Sequence, residues 1–424
     1  MRQIAASFGG EGDVSTFSRV RHMTSRTYTV ATLRTIASLL LVVLGCSKSA
    51  DDMLIVGEYG SLTGNDATFG QSTKQGIEIA WDELKAEKAN QIGGFTVDIR
   101  VEDDQGRAEE AATVVQKLVN QDRAVAVLGE VASSRSLAAA PICQAAGVPM
   151  ITPSSTNPRV TQVGDFTFRM CFLDDFQGKA MAKFTAENLG LKTVAVLKDV
   201  KSDYSVGLAQ YFTDNFIALG GTVVVEQSYS AGDQDFRAQL TAIKARSPEA
   251  IVIPGYYTEA GLIGRQAREL GITAPLVGGD GWESEQLLQI GGEALNGCYY
   301  TNHWALDAPD PRLQEFLKKY RAKYGKDPDA IGGLAYDAAR VLFQALEQLA
   351  AEDPQTFQGL SSRKANTPER QAATKKLRDL IAATRNFPGV SGIITLDENR
   401  NASKPAVVIE VKDGKKVYNT SIQP

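Results

Sequence analysis

Val125-Ala126-Val127-Leu128-Gly129, then Glu130-Val131-Ala132-Ser133-Ser134, then a helical pattern over 136–146, is the stretch on which the fold turns. The first four residues are apolar on both faces and stop at a glycine. A strand buried inside a parallel sheet reads this way, whereas a half-solvated strand alternates. After the helical pattern, Pro149-Met150-Ile151-Thr152 gives a second short apolar strand. Strand, helix and strand in about 30 residues form a βαβ unit, which lays two strands parallel and covers one face with the helix.

The same rhythm extends in both directions. Upstream, Leu54-Ile55-Val56-Gly57 is a strand, Ile77, Ala80, Trp81 and Leu84 recur at helical spacing, and Val97, Ile99 and Val101 alternate with polar residues. Ala111, Val114, Val115 and Leu118 mark one more helix before Val125. Downstream come Thr193–Leu197, a helix around 206–218, Val223–Val225, Ala250–Ile253 and Pro275–Gly278. These units predict an α/β chain with two doubly wound parallel-sheet lobes. The rhythm breaks after about residue 300, where a helix near 337–349, a polar stretch over 352–370, a helix over 372–384 and strands at 392–396 and 406–410 follow. The polar stretch reads as a surface insertion. Segments 53–171 plus 302–398 are expected to make the first lobe, and 172–301 plus 399–424 the second. Ligands of open α/β sheets bind at the carboxyl ends of the strands, so the loops after the strands are where function is sought.

The N-terminus carries a separate signal. Ile36 to Leu44 is a nine-residue apolar run behind Arg26 and Arg34, too short for a span of about 20 helical residues. It fits an export signal over 1–45, with Met23 a better start than Met1. Val43-Leu44-Gly45-Cys46 resembles a bacterial lipobox, which implies cleavage before Cys46, a lipid on its sulfur and a polar tether over 46–52. The chain is then expected at the periplasmic or outer cell surface, held to the membrane by the lipid alone. Three cysteines remain, Cys143, Cys171 and Cys298. They allow at most one bridge, and a Cys171–Cys298 pairing is left open.

Composition narrows the function classes. With a net charge of -5 in 424 residues and both signs mixed, the chain lacks the basic stripe of a nucleic-acid binder. Two histidines, His22 and His303, leave little for acid–base or metal chemistry. The glycine-rich loop over 57–70 lacks the spacing of a phosphate-binding loop. No catalytic residue, cofactor or metal is therefore expected.

The loops after the strands resemble those of the periplasmic leucine/isoleucine/valine-binding protein family. The resemblance runs from Gly129–Ser134 through Val148–Thr156, Asp203–Gly207, Ile253–Tyr257, Gly278–Trp282 and Phe387–Gly392 with Leu396-Asp397. It implies a multi-strand hinge between the lobes and an amino acid, branched-chain or another neutral one, held in the cleft by a monomer. It further implies delivery to the permease subunits of an ABC importer; a lipid-anchored sensor for amino acids or amides is the alternative. On the family pattern Ser133 and Thr156 take the ligand carboxylate. The Ser154 carbonyl, the Thr156 hydroxyl and Asp280 take the ammonium. Tyr256 closes over the carboxylate, and Phe69, Tyr204 and Ile331 line the side-chain pocket. Asp280 is shorter than the family's usual glutamate, Phe69 replaces a tyrosine, Ser154 and Ser155 make the pocket more polar, and Trp282 adds bulk beside the acid. Taken singly, Ser133 also reads as a helix N-cap, Thr156 and Asp280 as turn residues.

Overall fold

The computed structural model describes residues 53–306, 309–361 and 367–424. The expected export signal, tether and lipidated Cys46 lie outside the described residues. No helix among the described residues is long and apolar enough to cross a membrane.

The first sheet contains β1 (Met53–Gly60), β2 (Gln91–Ile92), β3 (Phe95–Asp103), β4 (Ala126–Leu128), β5 (Met150–Thr152) and β6 (Thr167–Arg169). Its order is β2-β3-β1-β4-β5-β6, parallel throughout except where β2 meets β3. Helices Ala67–Lys88 and Ala330–Glu352 bury one face against Leu54, Val56 and Val97. Helices Ala108–Asn120 and Ser133–Ala146 bury the other against Tyr59, Val127 and Met150. The Val125 run is apolar on both sides because both sides are covered.

The second sheet holds β7 (Thr193–Asp199), β8 (Thr222–Tyr229), β9 (Ala250–Ile253), β10 (Leu276–Gly278) and β11 (Cys298–Asn302). After a short hairpin, β12 (Phe387–Gly389) with β13 (Gly392–Ile394), the chain adds β14 (Ala406–Lys412) and β15 (Lys415–Ile422) to this sheet. The order is β15-β14-β11-β10-β9-β7-β8, with the last two strands antiparallel. Here too helices cover both faces.

One expectation changes, one helix is new and one open question closes. The polar stretch over 352–370 is not a surface insertion: Phe357 and Leu360 enter the first core, and the buried Arg370 guanidinium donates to the carbonyls of Leu360, Arg123 and Ala124. Its many polar letters hide two core residues and one buried cation that ties down carbonyls the strands leave over. Helix Pro311–Tyr324, absent from the sequence reading, packs Leu313, Phe316 and Tyr320 beside Ile79 and Trp304. Cys143, Cys171 and Cys298 are all free and buried, so no Cys171–Cys298 bridge forms. Each thiol serves its own core, Cys171 donating to the Ser155 carbonyl at 3.5 Å and Cys298 lying 3.5 Å from the Arg268 guanidinium.

Helices Ala67–Lys88 and Ala330–Glu352 cross at two glycines. A Cβ on Gly76 would stand 2.0 Å from the Gly332 carbonyl oxygen, so only glycine lets the backbones approach this closely. Gly76→Val is expected to destabilise the protein by about 1–3 kcal/mol through overpacking, read as a lower urea midpoint.

Glu58 in β1 is 2% exposed and one of its oxygens has no hydrogen-bond partner. Burial, then the nearby Glu78 charge, raises its carboxyl from 4.5 to about 8. Unfolded, the group ionises near 4.5; folded, it keeps its proton until about 8. The stability lost is therefore nil below the first value, grows as pH rises and is complete above the second, on the order of 5 kcal/mol. Glu58→Gln should raise the melting temperature more at pH 8.5 than at pH 4.5. An equal change at both would show that this carboxyl does not limit stability.

Candidate ligand-binding site

The loops over 129–134, 153–156, 203–207, 254–257 and 279–282 follow β4, β5, β7, β9 and β10, at the edges where the two sheets meet, whereas the 387–392 segment is the β12–β13 hairpin, whose Val390 and Ser391 amides donate to Asp337. The lobes touch across the cleft between them. Asn157 Nδ2 donates to the Asp203 carbonyl at 2.8 Å, and the Asp203 amide to Ser134 Oγ at 2.9 Å. On the other flank, the hydroxyls of Tyr257 and Thr258 both donate to the Asn65 carbonyl, at 2.8 and 2.9 Å.

The loop after β4 brings in Ser133. Gly129 at its start has φ of 125°, and a Cβ there would meet the Tyr59 carbonyl oxygen at 2.1 Å. A glycine is thus required for the chain to leave the strand in this direction. Helix Ser133–Ala146 follows, capped by Ala132 without any side-chain hydrogen bond. Ser133 is therefore not the N-cap. Its hydroxyl accepts from the Asn157 amide at 3.2 Å, joining this loop to the one after β5. A 14-residue helix with no side-chain cap presents backbone donors and the positive end of its dipole to the cleft, which suits a carboxylate.

Ser154 and Thr156 lie on the loop after β5. The Thr156 hydroxyl is buried without a hydrogen bond, as is one oxygen of Asp174, close enough for the hydroxyl to act on that carboxyl. Burial, then the Asp280 charge, pushes the Asp174 carboxyl well above the ordinary carboxylate range. Ser155 does not reach the pocket. Its hydroxyl binds the carbonyls of Glu130 and Val131 and the Ser136 hydroxyl, so only Ser154 adds polarity there.

Asp280 starts a single helical turn after β10, 7% exposed. Its amide donates to Gln177 Oε1 at 2.8 Å, which fixes the turn. Tyr204 donates to Asp280 Oδ1 at 2.9 Å and accepts from the Gly281 amide at 3.0 Å. Burial, then the Asp280 charge, holds the Tyr204 phenol far above its usual range, so it remains a donor. Asp280 Oδ2 lies 3.0 Å from His303 Nε2 and 3.5 Å from Ser154 Oγ of the opposite lobe.

The apolar end of the cleft is shared by both lobes. Tyr204 and Tyr256 stack at 5.3 Å, Phe69 meets Tyr256 edge-on at 5.4 Å, and Phe69 and Ile331 join one buried cluster with residues of the second lobe. Trp282 turns away: it is fully buried in the second core, donates to the Ile253 carbonyl at 3.0 Å and fills the space beneath Gly278. Its bulk supports the turn of Asp280 from behind.

Sequence reasoning missed two groups. His303 enters the sequence reading only as one of two histidines, since a lone histidine has no partner spacing to flag it. The other is an ion network behind the first-lobe loops: Arg135 pairs with Glu130 at 3.1 Å and Asp66 at 2.9 Å, and Glu130 accepts from the Ser61 amide and hydroxyl. It locks the loops that carry Ser133 and Phe69. Asp66, Arg135 and Tyr256 also line an open cavity of about 650 Å³ at the cleft mouth.

Of the eight predicted residues, direct contacts join Ser154 and Tyr204 to Asp280, Tyr204 to Tyr256 and Tyr256 to Phe69, and Ile331 shares the cluster of Phe69; Ser133 is linked to the loop of Ser154 and Thr156 through the Asn157 amide. Among the described residues no group of three or more His, Cys, Asp or Glu is placed to hold a metal ion.

Comparison with known proteins fits this picture. The leucine-, isoleucine-, valine-, threonine-, and alanine-binding protein of Pseudomonas aeruginosa is 32% identical over 324 residues, 76% of this chain and 85% of that one. The leucine binding protein LivK of Thermotoga maritima is 40% identical with a TM-score of 0.79, covering 88% of this chain and 99% of that one. The branched-chain amino acid transporter substrate binding protein LivJ of Streptococcus pneumoniae, solved with isoleucine, is 32% identical with a TM-score of 0.78, covering 88% of this chain and all (100%) of that one. The description "periplasmic binding protein" matches residues 56–416, and the chain belongs to that family, whose members bind solutes rather than transform them.

Proposed function

We propose that this chain captures a neutral, preferably branched aliphatic, amino acid outside the cytoplasm and delivers it to an ABC importer, anchored through a lipid on Cys46. The supporting observation is the pairing of Asp280 on one lobe with the uncapped helix start at Ser133 on the other. An α-amino acid carries an ammonium and a carboxylate one carbon apart, and these two features offer one opposite partner to each. Thr156, with its buried unpaired hydroxyl, is suited to both. Phe69, Ile331, Tyr204 and Tyr256 give an apolar wall for the side chain, in keeping with relatives named for leucine, isoleucine and valine.

The mechanism is hinge closure. Lobes of 53–171 plus 302–398 and 172–301 plus 399–424 rotate about three chain crossings. The ligand docks on Ser133, Ser154 and Thr156, and closure then brings Tyr204, Tyr256 and Asp280 over it. Ligand drives closure only because Asp280 and the two tyrosines meet it in the closed state alone. A monomer is sufficient for this, and the closed face is what a permease would recognise.

Two measurements test the reading. Asp280→Ala is expected to raise the calorimetric Kd for leucine by about a hundredfold, since a buried charge-assisted pair is lost; unchanged affinity would remove Asp280 from the site. Small-angle scattering should show compaction on saturation with leucine, and an unchanged radius of gyration would contradict hinge closure.

A further inference from the structure

His303 stands directly after β11, where the chain leaves the second sheet. Its amide donates to Asn302 Oδ1 at 2.8 Å, and the next residue, Trp304, donates its indole N–H to the Ala330 carbonyl of a first-lobe helix at 3.1 Å. The ring lies on Phe172 at 4.1 Å between centroids and 31° between planes. Phe172 belongs to a different crossing, between β6 and helix Asp174–Lys183. From this position His303 Nε2 meets Asp280 Oδ2 of the second lobe at 3.0 Å and Ser154 Oγ of the first at 3.3 Å. The residue is 4% exposed, and its Nδ1 has no hydrogen-bond partner. Against a carboxylate, which only accepts, Nε2 carries the proton and Nδ1 is the free basic position.

We infer that His303 is a positioning residue for the ligand: its ring, held at the crossing, aims Asp280 at the ligand ammonium. The inference rests on the amino-acid reading of the cleft given above. Tyr204 and Ser154 already donate to Asp280, so His303 completes a ring of donors that leaves the carboxylate little freedom to turn.

The test is calorimetric titration of leucine into the full protein, comparing the wild type with His303→Gln and His303→Ala. A glutamine amide donates from nearly the place of Nε2. His303→Gln should bind within about fivefold of wild type, and His303→Ala about tenfold or more weakly, having lost the donor. Matching thermal midpoints without ligand would establish that the variants fold. Wild-type affinity in His303→Ala, or equal losses in both variants, would overturn the inference while leaving the amino-acid reading in place. Failure of the wild type to bind any amino acid would overturn both.

Discussion

A carboxylate placed between two lobes has to be held by something, and the way Asp280 is held organises the cleft. Its side chain takes a hydroxyl from Tyr204, a ring nitrogen from His303 and a longer contact from Ser154. Its backbone is tied to Gln177, which also receives the Thr301 hydroxyl. These groups come from two helices, a crossing strand and both sheets. An unpaired buried charge would be strongly unfavourable, so the elements that bring these donors are bound to one another by that single requirement. The lobes cannot separate without Asp280 losing at least its Ser154 contact, and a ligand ammonium is a better partner than a serine hydroxyl.

The opposite wall is built with equal economy of charge. Arg135, itself buried, pairs with both Glu130 and Asp66, and Glu130 in turn anchors Ser61. The loops presenting Ser133 and Phe69 are rigid for this reason, while the helix start between them keeps its backbone donors uncapped. The first lobe is thus a preorganised platform, and the second brings the charge that makes closure selective.

Much of this was legible in the sequence because it follows from periodicity. Val125–Leu128 is apolar on both faces because helices lie on both, and βα alternation placed Ser133, Thr156, Tyr256 and Asp280 after strands and hence at the cleft. What stayed hidden depends on tertiary partners. Nothing local distinguishes Ser154, which faces Asp280, from Ser155, which turns inward onto two carbonyls. Phe357 and Leu360 are isolated apolar residues in a polar stretch, so no period announced their burial. His303 gains its meaning from Asp280 and from two residues more than 100 positions away, Phe172 and Ser154.

The central claim is that an amino acid is the ligand. It is tested most directly by a thermal-shift screen of the purified protein against the common amino acids, simple amides, sugars and polyols. A ligand that binds only the folded state at a hundredfold excess over its Kd adds about 2.7 kcal/mol of stability. The account predicts a clear rise in melting temperature with leucine, isoleucine or valine and none with sugars or polyols. A rise with a sugar or polyol, and none with any amino acid, would contradict it.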